Sequence, residues 1–156
     1  MTKKTDFKTK LCVFYATGFR TGYSPFAPGT VGTLIAIPLV IILNAVAYPW
    51  LYISLTIFIF FTGVYASTIA ENYFQRKDPG HVNIDEIAAY LAFMFFLPAD
   101  LKTLLIGFFV FRIMDIIKLP PTPFFEKIDK GWGIMLDDLI AAIYTYIIMF
   151  IITYLI

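Results

Sequence analysis

Cysteine and histidine are almost missing from this sequence: it has one of each, Cys12 and His81. A single cysteine excludes an internal disulfide and a cysteine-rich metal site. A single histidine argues against zinc, whose sites draw on several nitrogen and sulfur ligands. It also argues against any mechanism built on a histidine pair, and His81 reads more naturally as a loop residue than as a catalyst. A thiol phosphatase wants arginine six residues after its cysteine, but that position holds Gly18. No Asp-x-Asp-x-Thr segment occurs, and no glycine-rich loop ends in Gly-Lys-Ser/Thr, so a P-loop is excluded. Charge is scarce as well, at 15% of residues against about 25% in an average soluble domain. The net charge of +1 says nothing about nucleic acid, but no basic stripe is present, and nucleic acid is not an expected partner. The N-terminal MTKKTDFKTK is basic, but no small-residue cleavage site follows a short apolar core. No removable signal peptide is expected.

Apolar residues are what the chain has instead, at 60% of the total. They gather in runs at residues 31–48, 50–70, 87–99, 104–117 and 139–156. At about 1.5 Å per residue, 20 residues cross about 30 Å of hydrocarbon. The run at 87–99 has only 13 residues and is short for a full crossing. The expected fold is therefore all-α: a polytopic helical membrane protein with four to five membrane-embedded helices in one domain, residues 1–156. Residues 7–20 place Phe7, Leu11, Phe14 or Tyr15, and Gly18 at helical spacing, with Lys8, Lys10 and Arg20 elsewhere. They predict an amphipathic helix lying in the interface within residues 1–20. Tyr48, Pro49 and Trp50 predict the hairpin between the first two spans. Polar loops are expected near 21–33, 71–86 and 112–138.

Alternating the runs across a bilayer, with the N-terminus in the cytoplasm, gives an orientation. Eleven of the twelve Lys and Arg residues then lie on the cytoplasmic side, with Lys102 outside. The positive-inside rule favours that choice. Ten of the eleven carboxylates fall on the same side, with Asp100 the exception. The rule makes no demand on acidic residues, so their collection suggests a cytoplasm-facing site rather than a transmembrane ion path.

Three acidic groups stand out: Asp85 with Glu86, Asp115, and Asp137 with Asp138. Acids at a helix N-terminus are favoured by the dipole, which is enough to explain Asp85–Glu86 and Asp137–Asp138 without any function. Asp115 lies near a helix C-terminus, where the dipole disfavours it, and needs Arg112, Lys118 or a cation. Three acidic groups on one face have the composition of a hard-cation site, and Mg²⁺ commonly bridges carboxylates to substrate phosphate. Arg112 offers a planar fork suited to phosphate; a structural pair with Asp115 explains it equally well. Arg112, Asp115 and Lys118 recur every three residues, roughly on one helix face. The loop Ala27-Pro28-Gly29-Thr30-Val31-Gly32-Thr33 leads into a helix, and N–H groups at such a start can hold an anion.

These motifs resemble those of the phosphatidylglycerophosphatase A family of bacterial membrane phosphatases. The resemblance rests on Ser24-Pro25 with residues 27–33, on Asp78-Pro79 with Ile84-Asp85-Glu86, on Phe111-Arg112 with Asp115 and Lys118, and on Gly131, Gly133, Met135, Asp137, Asp138 and Ala141. Two departures are Ala88-Ala89 after the acidic pair, where the family carries glycine, and Lys118-Leu119-Pro120-Pro121 in place of Lys-Pro.

The resemblance implies hydrolysis of phosphatidylglycerophosphate to phosphatidylglycerol and phosphate, with Mg²⁺, in the bacterial cytoplasmic membrane. The partners implied are that phospholipid and the bilayer; oligomeric state is left open. Asp85, Glu86, Asp115, Asp137 and Asp138 are the expected metal-binding and catalytic residues. Gly29, Thr30, Thr33, Arg112 and Lys118 are the expected phosphate-binding ones. Metal-assisted attack of water is the preferred mechanism, and an aspartyl-phosphate the less favoured variant. The alternatives are a phosphatase for another lipid phosphate such as phosphatidic acid, a small transporter, or a non-catalytic scaffold.

Overall fold

The computed structural model describes residues 6–125, 127, 128 and 130–155. Met1 to Thr5 of the expected interfacial segment, Glu126 and Asp129 of the polar stretch, and the last residue of the final run lie outside the described residues. Among the described residues seven α-helices run in order: α1 Phe7–Ala16, α2 Pro28–Val46, α3 Pro49–Phe74, α4 Ile84–Met94, α5 Leu101–Ile117, α6 Thr122–Phe125 and α7 Gly131–Tyr154, with a 3₁₀ turn at Thr21–Tyr23 before α2. No strand occurs among the described residues.

Three helices, α2, α3 and α7, are long and apolar enough to cross a membrane. Their 19, 26 and 24 residues correspond to about 28, 39 and 36 Å. α4 and α5 are shorter, at 11 and 17 residues. Leu34, Ile41, Phe58, Phe61, Phe109, Ile143 and Phe150 point outward from α2, α3, α5 and α7. Such an apolar exterior is suited to lipid rather than water.

The shortest apolar run forms the centre of the bundle. Ten of the eleven residues of α4 are buried, and α4 packs against α2, α3, α5 and α7. A helix apolar on every side needs neighbours on every side. Small residues let those neighbours close in, as in membrane helix packing generally. Gly63, Ala66, Ser67 and Ala70 line the buried side of α3, and Ala141, Ala142 and Thr145 that of α7. At Gly131 a Cβ would stand 2.0 Å from the Val64 carbonyl oxygen, so only glycine lets α7 begin there. The Gly131 N–H donates to Thr68 Oγ1 at 3.0 Å. Tyr52 and Tyr90 donate their hydroxyls to the carbonyls of Leu91 and Leu104, tying α3 to α4 and α4 to α5.

Several boundaries differ from the sequence-based expectation: α2 starts at Pro28, inside the expected loop, α4 spans Ile84–Met94 and α5 starts at Leu101. The hairpin between α2 and α3 consists of Ala47 and Tyr48 alone, because Pro49 is the first residue of α3. Its fixed φ and missing N–H suit a helix start. The last helix starts at Gly131, well before the apolar run at 139. Asp137 and Asp138 therefore lie almost two turns inside α7, not at its cap, so the dipole does not account for them. Asp100 is the cap that does behave as one. It accepts from the Thr103 N–H at 3.0 Å and the Thr103 hydroxyl at 2.7 Å. Those bonds hold its carboxyl below the usual range.

Candidate active site

Asp85 and Glu86 occupy the first turn of α4, and Asp138 faces them from α7. One carboxylate oxygen from each lies within 4.8 Å of the other two, and all three residues are buried. Glu86 Oε2 and Asp138 Oδ2 have no hydrogen-bond partner among the described residues. Burial pushes the Asp85 carboxyl up to about 7. Burial and the Asp85 charge push Glu86 well above its ordinary value. Three buried acids, two of them with unpartnered oxygens, are costly unless a cation joins them, and hard oxygen ligands suit Mg²⁺.

Arg112 borders this group. Its Nη1 lies 2.9 Å from Asp115 Oδ2 and 3.5 Å from Glu86 Oε1. Its Nε is buried with no hydrogen-bond partner among the described residues, so the fork keeps a donor for a ligand. Asp115 thus pairs with Arg112 and stands outside the three-carboxylate group. Lys118 does not continue the Arg112–Asp115 row. It ends α5 in a left-handed conformation and meets Asp137 Oδ2 at 2.7 Å. Asp137 also lines a cavity of about 320 Å³ with Glu71, Lys77, Asp78 and Lys130.

The glycine loop closes the site from α2. A Cβ on Gly29 would fall 2.0 Å from Glu86 Oε1 and 3.0 Å from Arg112 Nη2. Gly29 and Thr30 belong to the first turn of α2, which starts at Pro28, so their N–H groups have no intrahelical acceptor. Thr33 is completely buried and donates its hydroxyl to the Gly29 carbonyl at 3.0 Å; that contact shapes the turn.

Asn83 escaped the sequence reading. It is completely buried, and its amide donates to Thr21 Oγ1 at 2.9 Å and to the Pro28 carbonyl at 3.3 Å. Its backbone N–H donates to the Ala16 carbonyl at 3.0 Å. One residue therefore ties α1, the 3₁₀ turn and the start of α2 to the turn that carries Asp85 and Glu86. The signal in the sequence is Asn83 three residues before Glu86, the spacing of a helix cap. The cap is not made: Asn83 forms no capping bond. His81 stacks on Phe74, with ring centroids 4.9 Å apart, in keeping with a loop residue.

Fold and site together define a helical membrane protein with a buried acidic cluster, an arginine and a helix start converging at one end of the bundle. A family model described as phosphatidylglycerophosphatase A matches residues 14–153. A Haemophilus influenzae protein named phosphatidylglycerophosphatase A is 33% identical, over 89% of this chain and 86% of its own length. One of the same name from Escherichia coli K12 is 34% identical, over 82% of this chain and 75% of its own length. A Bacteroides thetaiotaomicron protein, provisionally named a phosphatidylinositol-3-phosphatase, is 33% identical over 89% of this chain and 91% of its own length. No solved structure gives a significant match. The chain belongs to the phosphatidylglycerophosphatase A family and is a phosphoric monoester hydrolase.

Proposed function

We propose that the protein hydrolyses the terminal phosphomonoester of phosphatidylglycerophosphate, with Mg²⁺, at the cytoplasmic face of the membrane. The observation that carries this reading is the meeting of Asp85, Glu86 and Asp138 within 4.8 Å, with Arg112 and Gly29 against Glu86. The lopsided charge supports the cytoplasmic orientation, since eleven of twelve basic residues lie on the site's side when the apolar runs alternate.

Asp85, Glu86 and Asp138 would hold the cation. Bound there, Mg²⁺ supplies positive charge against the phosphoryl oxygens. Arg112 binds the phosphoryl group through its free donor and is oriented by Asp115. The N–H groups of Gly29 and Thr30 add the positive end of a helix dipole. Lys118 pairs with Asp137 beside the cavity. Water attacks phosphorus while the bond to the glycerol oxygen breaks. A carboxylate of the group takes the water proton, and the leaving oxygen gains one. Because the substrate's acyl chains stay in the leaflet, a site at the end of a lipid-facing bundle meets the headgroup without extracting the lipid.

The test is phosphate release by purified protein in mixed micelles. Phosphatidylglycerophosphate should be cleaved faster than phosphatidic acid or phosphatidylinositol 3-phosphate, and EDTA should stop the reaction. Release that EDTA leaves unchanged would remove the Mg²⁺ assignment. Faster turnover of either other lipid would reassign the substrate.

A further inference from the structure

Away from the carboxylates, α1 crosses the lipid-facing side of α3. Tyr15 and Thr62 share a hydrogen bond of 2.8 Å there. Two cavities open along the crossing. One, of about 370 Å³, runs between Leu11, Phe14 and Phe19 on one side and Phe58 and Tyr65 on the other. The second, of about 530 Å³, is edged by Lys10, Arg20, Tyr23 and Tyr73. Leu11 and Phe14 line both, so the cavities adjoin. Among the described residues no acidic side chain lines either.

The chain takes strained backbone to build this place. Gly18, Phe19 and Arg20 all have positive φ, at 50°, 57° and 78°. Two consecutive non-glycine residues in that region are costly and persist only where the surroundings impose them. The turn folds Phe19 back on Phe14 and Tyr15, with centroids at 5.5 and 6.3 Å, making one wall of the apolar groove. It also brings Arg20 to the edge of the adjoining cavity beside Lys10. At Tyr65, Lys8 Nζ stands 5.4 Å over the ring.

We infer that this crevice binds one anionic phospholipid, with an acyl chain along Leu11, Phe14, Phe19 and Phe58 and the headgroup phosphate between Lys10 and Arg20. An apolar slot adjoining a mouth with two cations and no carboxylate matches the two ends of such a molecule. A zwitterionic lipid has no net charge and gains less from Lys10 and Arg20 than one whose headgroup is net negative. The site is separate from the reaction centre, and the inference does not depend on which lipid phosphate is hydrolysed.

The experiment is native mass spectrometry of the full-length protein in detergent, titrated with phosphatidylserine or phosphatidylcholine. Each basic group near a lipid phosphate is worth about fivefold in affinity, so the wild type should prefer phosphatidylserine by about 10- to 30-fold. Lys10→Gln with Arg20→Gln should reduce the preference below about threefold. Lys10→Gln alone, at an exposed position, should lower it about fivefold. Arg76→Gln with Lys102→Gln removes the same charge elsewhere and should leave the preference intact. Phosphate release by each variant confirms that it is folded. An equal loss in the Arg76/Lys102 variant, or a preference that survives in the Lys10/Arg20 variant, would overturn the assignment.

Discussion

Gly29 and Glu86 are packed so closely that a methyl group on Gly29 would lie 2.0 Å from Glu86 Oε1. Nothing larger than hydrogen fits between the start of α2 and the acidic turn of α4. Gly29→Ala must therefore displace Glu86 or the α2 turn. Activity should drop by at least about 100-fold, since misplacing catalytic groups by about 1 Å costs that much. The secondary structure should stay intact by circular dichroism in detergent. Near-normal turnover in the alanine variant would mean that this contact does not matter for catalysis.

Asp138 should show opposite effects on stability and on rate. It adds a third carboxyl to a buried acidic group and keeps an oxygen with no hydrogen-bond partner among the described residues. Asp138→Asn relieves like-charge repulsion, so in EDTA the variant should melt a few degrees higher than wild type. With Mg²⁺ the order should reverse, because a cation that binds the folded state stabilises it by mass action. Turnover should fall about 1,000-fold or more. Thermal melts with and without Mg²⁺ separate these effects. A variant less stable than wild type in EDTA would show that Asp138 is not electrostatically frustrated.

Arg112 and Asp115 act as a unit in this arrangement. Arg112→Lys keeps the charge but loses the planar fork, and should cost about 10- to 100-fold in kcat/KM. Asp115→Asn should cost less than loss of Asp138, because it frees Arg112 instead of removing a member of the cluster. A double substitution should cost little more than Arg112→Lys alone, since coupled residues are not additive. Fully additive losses in steady-state kinetics would contradict the pairing.

Asn83 touches three segments and belongs to the positioning of the site. Asn83→Ala removes two side-chain hydrogen bonds from a buried position, a change worth about 2–3 kcal/mol. Turnover should fall, with Mg²⁺ affinity reduced as Glu86 and the α2 turn lose their tie. Asn83→Asp restores the shape but not the donor to the Pro28 carbonyl, and should not rescue. Wild-type kinetics in the alanine variant, measured as phosphate release, would confine Asn83 to folding.

Much of the architecture was legible in the chain. Long apolar runs dictate helices, because backbone groups in hydrocarbon must bond within their own segment. The one-sided carboxylates pointed to one end of the bundle. The run at 87–99 was harder to place: its length suggested an uncertain crossing, but its first part, within α4, is apolar because it is buried among four neighbouring helices. Lys118 was misleading for a different reason. Three-residue spacing puts it near Arg112 only while the helix continues, and α5 ends at Ile117.

The sequence by itself determined the helical class, the acidic and basic residue set, and the glycine loop that begins α2. Only tertiary structure divided five acids into a group of three, a partner for Arg112 and a partner for Lys118. Adjacent residues on a helix point about 100° apart, so Asp137 and Asp138 must face different neighbours. Which neighbours they meet depends on how α7 packs against α4 and α5 while Gly131 seats its start on α3. Asn83 is the clearest case: the chain spells a helix cap, and the closeness of Thr21 and Pro28 turns the same side chain into the tie that holds the site together.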